Sequence, residues 1–257
     1  MKKYAVILNE VSIEFPMSFD VRPSVRSQAG FFVKNKLLNK NKNKPQETFK
    51  ALNKVSIKIG HSDIVGIIGP NGGGKTTLLR AIAGIYYPDK GSVIINGKLS
   101  TLLSLGTGLN NNLSGRDNIL IGGLLMGLKK KQVELLSDEI IKYADLGKFI
   151  DVPMKFYSNG MFSRLGFAIA MSLKADILLI DEVFSVGDLA FSKKSEKTMQ
   201  KLLSEAKCQL IVTHDLKYVR ENCTRAIYLQ SGSIIADGSP NDVVNLYESN
   251  VEKENKE

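Results

Sequence analysis

Of the residues that staple small proteins together or carry metals, this sequence has very few. Among 257 residues there are two cysteines, Cys208 and Cys223. They lack metal-ligand spacing and form no paired framework, so a disulfide scaffold is excluded and both read as free thiols. Long apolar runs are missing too. The longest, Ile119 to Leu128, has ten residues, three of them glycine, against the roughly 20 needed to span a bilayer. The chain is therefore not expected to cross a membrane by itself. Met1-Lys2-Lys3 is followed only by Tyr4 to Leu8 before Asn9-Glu10, too short for a signal-peptide core, which places the chain in the cytoplasm. Histidine occurs twice. His61 lies in a polar turn and reads as a surface residue.

Acidic residues are outnumbered, 26 to 35, for a net charge of +9. Such an excess suggests an acidic partner, either nucleic acid or an anionic membrane face. Its distribution is uneven. Between Asp20 and Gln46 seven basic residues, Arg22, Arg26, Lys34, Lys36, Lys40, Lys42 and Lys44, stand against Asp20 alone, a net six of the nine. This stretch belongs to a long interruption, 16–48, that also holds Phe31, Phe32, Leu37 and Leu38. Interruptions of this length are usually functional or flexible. Two readings stay open here, a surface-lying amphipathic helix and a flexible loop.

What the sequence does contain is a phosphate-binding loop. Gly69-Pro70-Asn71-Gly72-Gly73-Gly74-Lys75-Thr76-Thr77 follows G-x-x-x-x-G-K-[ST]. Before it runs the apolar strand Ile64 to Ile68, and after it Leu78 to Ala83 continue as a helix. The glycines let successive N–H groups point inward, and the helix start adds its positive dipole end. Lys75 is expected to reach the β- and γ-phosphates of a nucleotide and Thr76 to ligate Mg²⁺.

The remaining pattern is that of an α/β chain of one main domain, with 43% hydrophobic content to form its core. Val6 to Phe15 and Val55 to Ile59 read as strands of an antiparallel edge. Pro88 to Gly91 reads as a turn, and Val93 to Lys98 as a strand ending in an Asn-Gly hairpin signal. Leu99 to Asn112 is loop-rich. Ser114 caps a helix to Leu128, and a second helix, Lys130 to Leu146, puts Val133, Leu136, Ile140 and Ile141 on its apolar side. Tyr157 to Leu165 open a helix that runs to about Leu173. Ile177 to Ile180 form a buried strand delivering Asp181-Glu182 at its carboxyl end, 106 residues after Lys75, where ligands sit in open parallel sheets. Asp181 would hold Mg²⁺ through water, and Glu182 would orient or deprotonate the attacking water. Leu210 to Val212 end at Thr213-His214-Asp215, which puts His214 level with Glu182 for a γ-phosphate contact. A closing hairpin, a short helix from Asn241 to Tyr247 and a charged tail, 248–257, complete the chain.

These residues resemble the ATP-binding cassette proteins over essentially the whole chain. Ser158, Asn159 and Gly160, in Tyr157-Ser158-Asn159-Gly160-Met161, stand where that family has its L-S-G-G-Q signature. Ser185-Val186-Gly187-Asp188 stand at its D-loop, and His214 matches its switch histidine. The resemblance implies ATP and Mg²⁺ as cofactors, and an α/β fold with a P-loop NTPase parallel-sheet core, an antiparallel β edge and a helical signature-motif subdomain at about 104–173. It also implies a homodimer in which Ser158, Asn159, Gly160 and Asp188 of one copy close over ATP held by the phosphate loop of the other.

More narrowly, Y-S-x-G-M, D-E-V-x-x-V-G-D, L-S-G-R-D-N-I and the basic insertion are similar to those of polysaccharide exporters, which move O-antigen, capsule or teichoic acid polymers. The implied partners are membrane-spanning permease subunits at the cytoplasmic face of the membrane, with no nucleic acid. There are departures. Asn159 and Met161 replace a signature glycine and glutamine. The family's Q-loop glutamine belongs near Ser104, and the only glutamine between the phosphate loop and the signature is Gln132. The adenine-stacking aromatic is either Phe15 or Phe49. Some members carry a C-terminal carbohydrate-binding domain, which is not expected here. The rivals are a cassette ATPase of DNA repair, which needs a long coiled coil between its nucleotide motifs, and a translation-factor cassette protein, which carries two phosphate loops.

Overall fold

Ile64–Ile68 (β3) is apolar along its whole length and is buried on both faces, the position its composition demands. In the computed structural model, which describes residues 3–17, 48–101, 108–125, 128–172, 175–181 and 189–254, β3 lies within a six-stranded sheet. Its parallel neighbours are Cys208–Val212 (β7) on one side and Arg225–Gln230 (β8) on the other. Beyond β7 come Ile177–Asp181 (β6) and the short Leu99–Thr101 (β5), both parallel, while Ser233–Gly238 (β9) pairs antiparallel with β8. The order is β5-β6-β7-β3-β8-β9.

A second, three-stranded antiparallel sheet sets Tyr4–Pro16 (β1) between Thr48–Gly60 (β2) and Lys90–Ile95 (β4). Its alternating apolar residues, Val6, Leu8, Ile57 and Ile59 among them, pack with Val65, Ile67 and Leu210 of the large sheet around the helix Lys75–Ile82 (α1). The antiparallel edge expected from the sequence is thus a sheet of its own, joined to the parallel one by a shared core.

A third body is helical. Gly115–Leu125 (α2), Lys130–Ala144 (α3) and Asn159–Met171 (α4) enclose Ile119, Val133, Ile140, Leu165 and Ile169. Gly123 makes their closest approach possible, since a Cβ there would lie 2.5 Å from the Val133 side chain. The long helix Leu189–Glu205 (α5) follows β6, and the short helix Leu216–Asn222 (α6) follows β7.

Two expectations are corrected. The Asn96-Gly97 pair is no hairpin turn, because β4 pairs with β1 whereas β5 pairs with β6. The chain changes sheets there, with Asn96 donating its side-chain N–H to the Tyr4 carbonyl at 2.9 Å and Gly97 in a conformation of φ 146°. The last helix, Pro240–Glu254 (α7), is also longer than predicted and absorbs most of the expected tail. Val243 and Val244 are buried, Tyr247 meets Tyr228 edge-on, and the Arg220 guanidinium donates to Asn245 and Glu248 at 2.8 Å each. These contacts hold a charged segment that by composition alone would fray.

Candidate nucleotide site

The register of the large sheet places three carboxyl ends side by side: Ile68 of β3, Val212 of β7 and Asp181 of β6, with Val212 opposite Asp181. The phosphate loop, 69–77, leaves the first of these and enters α1. Its left-handed residues are Gly69, Gly72 and Gly74, with φ of 145°, 74° and 103°. Gly69 and Gly74 are needed twice over, because a Cβ would fall 2.0 Å from the Leu229 carbonyl oxygen at Gly69 and 2.6 Å from that of Ala51 at Gly74. The loop is braced from behind. The Gly232 N–H, in the turn between β8 and β9, donates to the Gly73 carbonyl at 2.9 Å, while the Gly232 carbonyl accepts from Asn53 of β2 at 2.8 Å.

Lys75 is buried, and its ammonium donates to the Gly69 and Pro70 carbonyls at 2.8 and 3.0 Å, which folds it into the loop's own concavity. The Thr76 hydroxyl donates to the Asp181 carboxylate at 2.9 Å. A cavity of about 250 Å³ opens here, lined by Asn71, Gly72, Gly73, Gly74, Lys75, Thr76 and Thr77, together with Asp181 and His214. Phe15 and Phe49 line it as well. They are direct cross-strand partners on β1 and β2, so the sequence alternatives for the aromatic wall occupy the same place. Phe49 is 47% exposed, whereas Phe15 meets Tyr86 edge-on.

Thr76 and Asp181 offer a neutral and an anionic oxygen next to each other, the hard donor set that Mg²⁺ favours. Among the described residues no group of three or more His, Cys, Asp and Glu side chains could hold a metal.

The structure does not bring Ser158, Asn159 and Gly160 into this cavity. They open α4 on the helical body, where the exposed Ser158 hydroxyl accepts from the Met161 N–H at 3.2 Å as an N-cap. Glu182, Asp188, Ser104, the rest of the segment matching the D-loop and residues 18–47 of the basic insertion lie outside the described residues, while Pro16 and Thr48 at its ends belong to β1 and β2. Gln132 is accounted for: its side-chain oxygen accepts from the Lys129 N–H at 2.9 Å, capping α3. It therefore serves the helix start. Sequence reasoning missed the bracing by Leu229 and Gly232, for which the only local signal was the Ser231-Gly232 turn. It also missed Asn118, fully buried in the L-S-G-R-D-N-I motif, which accepts from the Asn110 N–H at 2.7 Å and donates to the Asn110 and Ser114 carbonyls.

A phosphate loop entering α1, a metal-type oxygen pair and an antiparallel sheet flanking a parallel one define a nucleotide-binding cassette. The fold is that of the solved ATP-binding cassette MJ0796, determined as a dimer in a post-hydrolysis state bound to ADP and Pi (TM-score 0.64, 21% identity, 91% of this chain and 98% of that one). The chain belongs to the ABC transporter family, whose model matches residues 52–185. It is 41% identical over 232 residues to the teichoic acids export ATP-binding protein TagH of Bacillus cereus, covering 87% of this chain and 42% of that protein. To the O-antigen export system ATP-binding protein RfbB of Klebsiella pneumoniae it is 37% identical over 199 residues, covering 77% and 81%. The chain thus spans less than half the length of the first of these relatives.

Proposed function

We propose that this chain is the ATP-binding and ATP-hydrolysing subunit of a transporter that exports a cell-envelope polysaccharide across the cytoplasmic membrane. The observation that carries the first half is the convergence of Lys75, Thr76 and Asp181 in one cavity at the carboxyl ends of the parallel strands. In this reading Lys75 leaves the Gly69 and Pro70 carbonyls to neutralise the β- and γ-phosphates. The N–H groups of 72–77 cradle them, and the base rests against Phe15 and Phe49. Thr76 and Asp181 would hold Mg²⁺, which would supply charge neutralisation at the transferring phosphoryl group. Glu182 orients or deprotonates the water, and His214, on the rim beside Asp181, contacts the γ-phosphate.

The position of exposed Ser158 and Asn159 and half-buried Gly160, away from their own phosphate loop, supports a trans role. In a head-to-tail homodimer they and Asp188 would meet the nucleotide of the other copy, at a helix start suited to an anion. The names of the relatives, teichoic acids export and O-antigen export, support a polysaccharide cargo. Among the described residues no helix is long and apolar enough to cross a membrane; in this reading separate permease subunits span it and the chain lies against its inner face.

The test is purification of the tagged chain from detergent-solubilised native cells. The expected result is a stoichiometric membrane-spanning partner carrying a glycolipid-linked polymer, with ATPase activity that Lys75→Ala abolishes. Nucleic acid in place of a membrane partner, or activity that survives Lys75→Ala, would sink the proposal.

A further inference from the structure

The helical body that presents Ser158, Asn159 and Gly160 meets the parallel-sheet core at an aromatic joint. Tyr143 near the end of α3, Phe167 in α4 and Phe191 near the start of α5 form a triangle with ring centroids 5.8 to 6.1 Å apart. Polar contacts close over it. The Lys194 ammonium donates to the Tyr143 carbonyl at 2.8 Å and lies 4.2 Å from the centre of the Tyr143 ring, a cation at the negative end of the α3 dipole. The Tyr143 hydroxyl donates to Thr198 Oγ1 at 2.8 Å, and Thr198 in turn donates to the Lys194 carbonyl at 3.0 Å. From the signature helix itself, the Arg164 guanidinium lies 5.1 Å from the centre of the Phe191 ring.

Beside this joint the two bodies separate. A cleft of about 680 Å³ lies between Leu136, Glu139 and Ile140 of α3, Met171 of α4, and Leu202 and Glu205 of α5. It sits at the end of the sheet away from the nucleotide cavity, near Lys98 and Asp176 at the strands' starts. Phe167 and Ala170 of α4 also pack with Leu178, Ile180 and Ile211 of the sheet, so the helical body is seated on the core along α4, and the tie from α3 to α5 at the edge of the cleft then fixes its tilt and how the signature residues are presented. The core side of the clasp is α5, which begins eight residues after Asp181 in the chain.

We infer that Tyr143 is a positioning residue for ATP hydrolysis: its bond to Thr198 sets the angle at which the helical body offers Ser158, Asn159 and Gly160 to the partner copy's nucleotide. This rests on the trans role proposed above. A group that only held the fold together would affect nucleotide binding and turnover alike. The clasp, remote from the phosphate loop, affects turnover alone.

Four variants of the full chain test it, each measured for equilibrium ATP binding, steady-state kinetics and amide hydrogen exchange. Tyr143→Phe keeps the ring and removes the hydroxyl. It is expected to lower kcat about fivefold, the scale of one hydrogen bond, with ATP affinity within about twofold of the parent. Thr198→Val should do the same, and the double variant should be no worse than either single one, because both remove one link. Thr198→Ser, which keeps the hydroxyl, should retain the parental kcat. Exchange should quicken at the end of α3 and in the first half of α5 while β3 and β7 stay protected. The exchange readout needs no turnover, so it tests the clasp even if the parent hydrolyses no ATP, an outcome that would instead overturn the proposed function. Unchanged kcat in both single variants, additive losses in the double variant, or parental exchange at the joint would each overturn the inference.

Discussion

Lys75, Thr76 and Asp181 share one short edge of the sheet because their backbones are held there by β3, α1 and β6, so their chemistry depends on few degrees of freedom. Glu182 follows Asp181 directly in the sequence, and its proposed role can be tested by substitution. Replacing it by glutamine is expected to leave ATP binding intact and slow turnover at least about 10²-fold, the usual scale for a lost acid or base. The ATP-bound dimer should then accumulate on size-exclusion chromatography, and near-parental turnover would remove Glu182 from the role.

The thiols behave in the opposite way. Burial pushes Cys208 up to about 12 and Cys223 to about 11. Only the thiolate alkylates rapidly, so at pH 8 neither should react appreciably with iodoacetamide in the folded protein. Both should label within minutes in denaturant, and mass spectrometry of native samples showing fast modification would contradict the packing around them.

At the scale of elements, α2 and α3 cross where Gly123 meets Val133. A methyl group at Gly123 lands 2.5 Å from the Val133 side chain, so Gly123→Ala should destabilise the protein by about 1–3 kcal/mol through overpacking. Denaturant titration would show it, and the double change Gly123→Ala, Val133→Ala should recover part of the loss.

A second element-scale link gathers the strand starts. Asp176, just before β6, accepts the Lys98 N–H at 3.0 Å, and this bond, followed by the nearby Lys207, holds its carboxyl below the usual value. A depressed carboxylate stabilises the fold above its unfolded pKa, about 3.9, and the contribution fades as pH falls through the folded value. Asp176→Asn should therefore lower the urea midpoint at pH 7, and the gap between the two proteins should narrow below about pH 4. A gap independent of pH would show that charge has no part in it.

The charge of the whole molecule is concentrated in one insertion rather than spread over its surface. Seven basic residues near an anionic leaflet gain roughly 1 kcal/mol each before screening. Shortening 24–44 to a Gly-Ser linker is expected to leave ATP binding unchanged, to impair polymer export and to weaken flotation with anionic vesicles, most clearly at low salt. Full export together with parental flotation would make the insertion a passive loop. Nucleic acid offers the same charge, and a salt-sensitive gel shift lost with the insertion would favour that partner instead.

What the sequence alone determined is local. The phosphate loop was legible because its strand, glycines, lysine and threonine fall within 64–77, where backbone preference and chemistry act on neighbouring residues. The strand carrying Asp181 and the helix opening after Tyr157 were legible for the same reason. Pairing across the chain was not. Asn96-Gly97 carried a hairpin signal, yet burial of Val6, Leu8 and the strands facing them sends β4 to β1 and β5 to β6. Phe15 and Phe49, alternatives in the sequence, became neighbours because β1 and β2 pair in that register. The tail, charged enough to fray by itself, is helical to Glu254 because Arg220, Tyr228 and the groove around Val243 and Val244 receive it. Local propensities are worth tenths of a kcal/mol per residue, whereas burying one large apolar side chain is worth about 1.5–3 kcal/mol, so tertiary packing decided wherever the two disagreed.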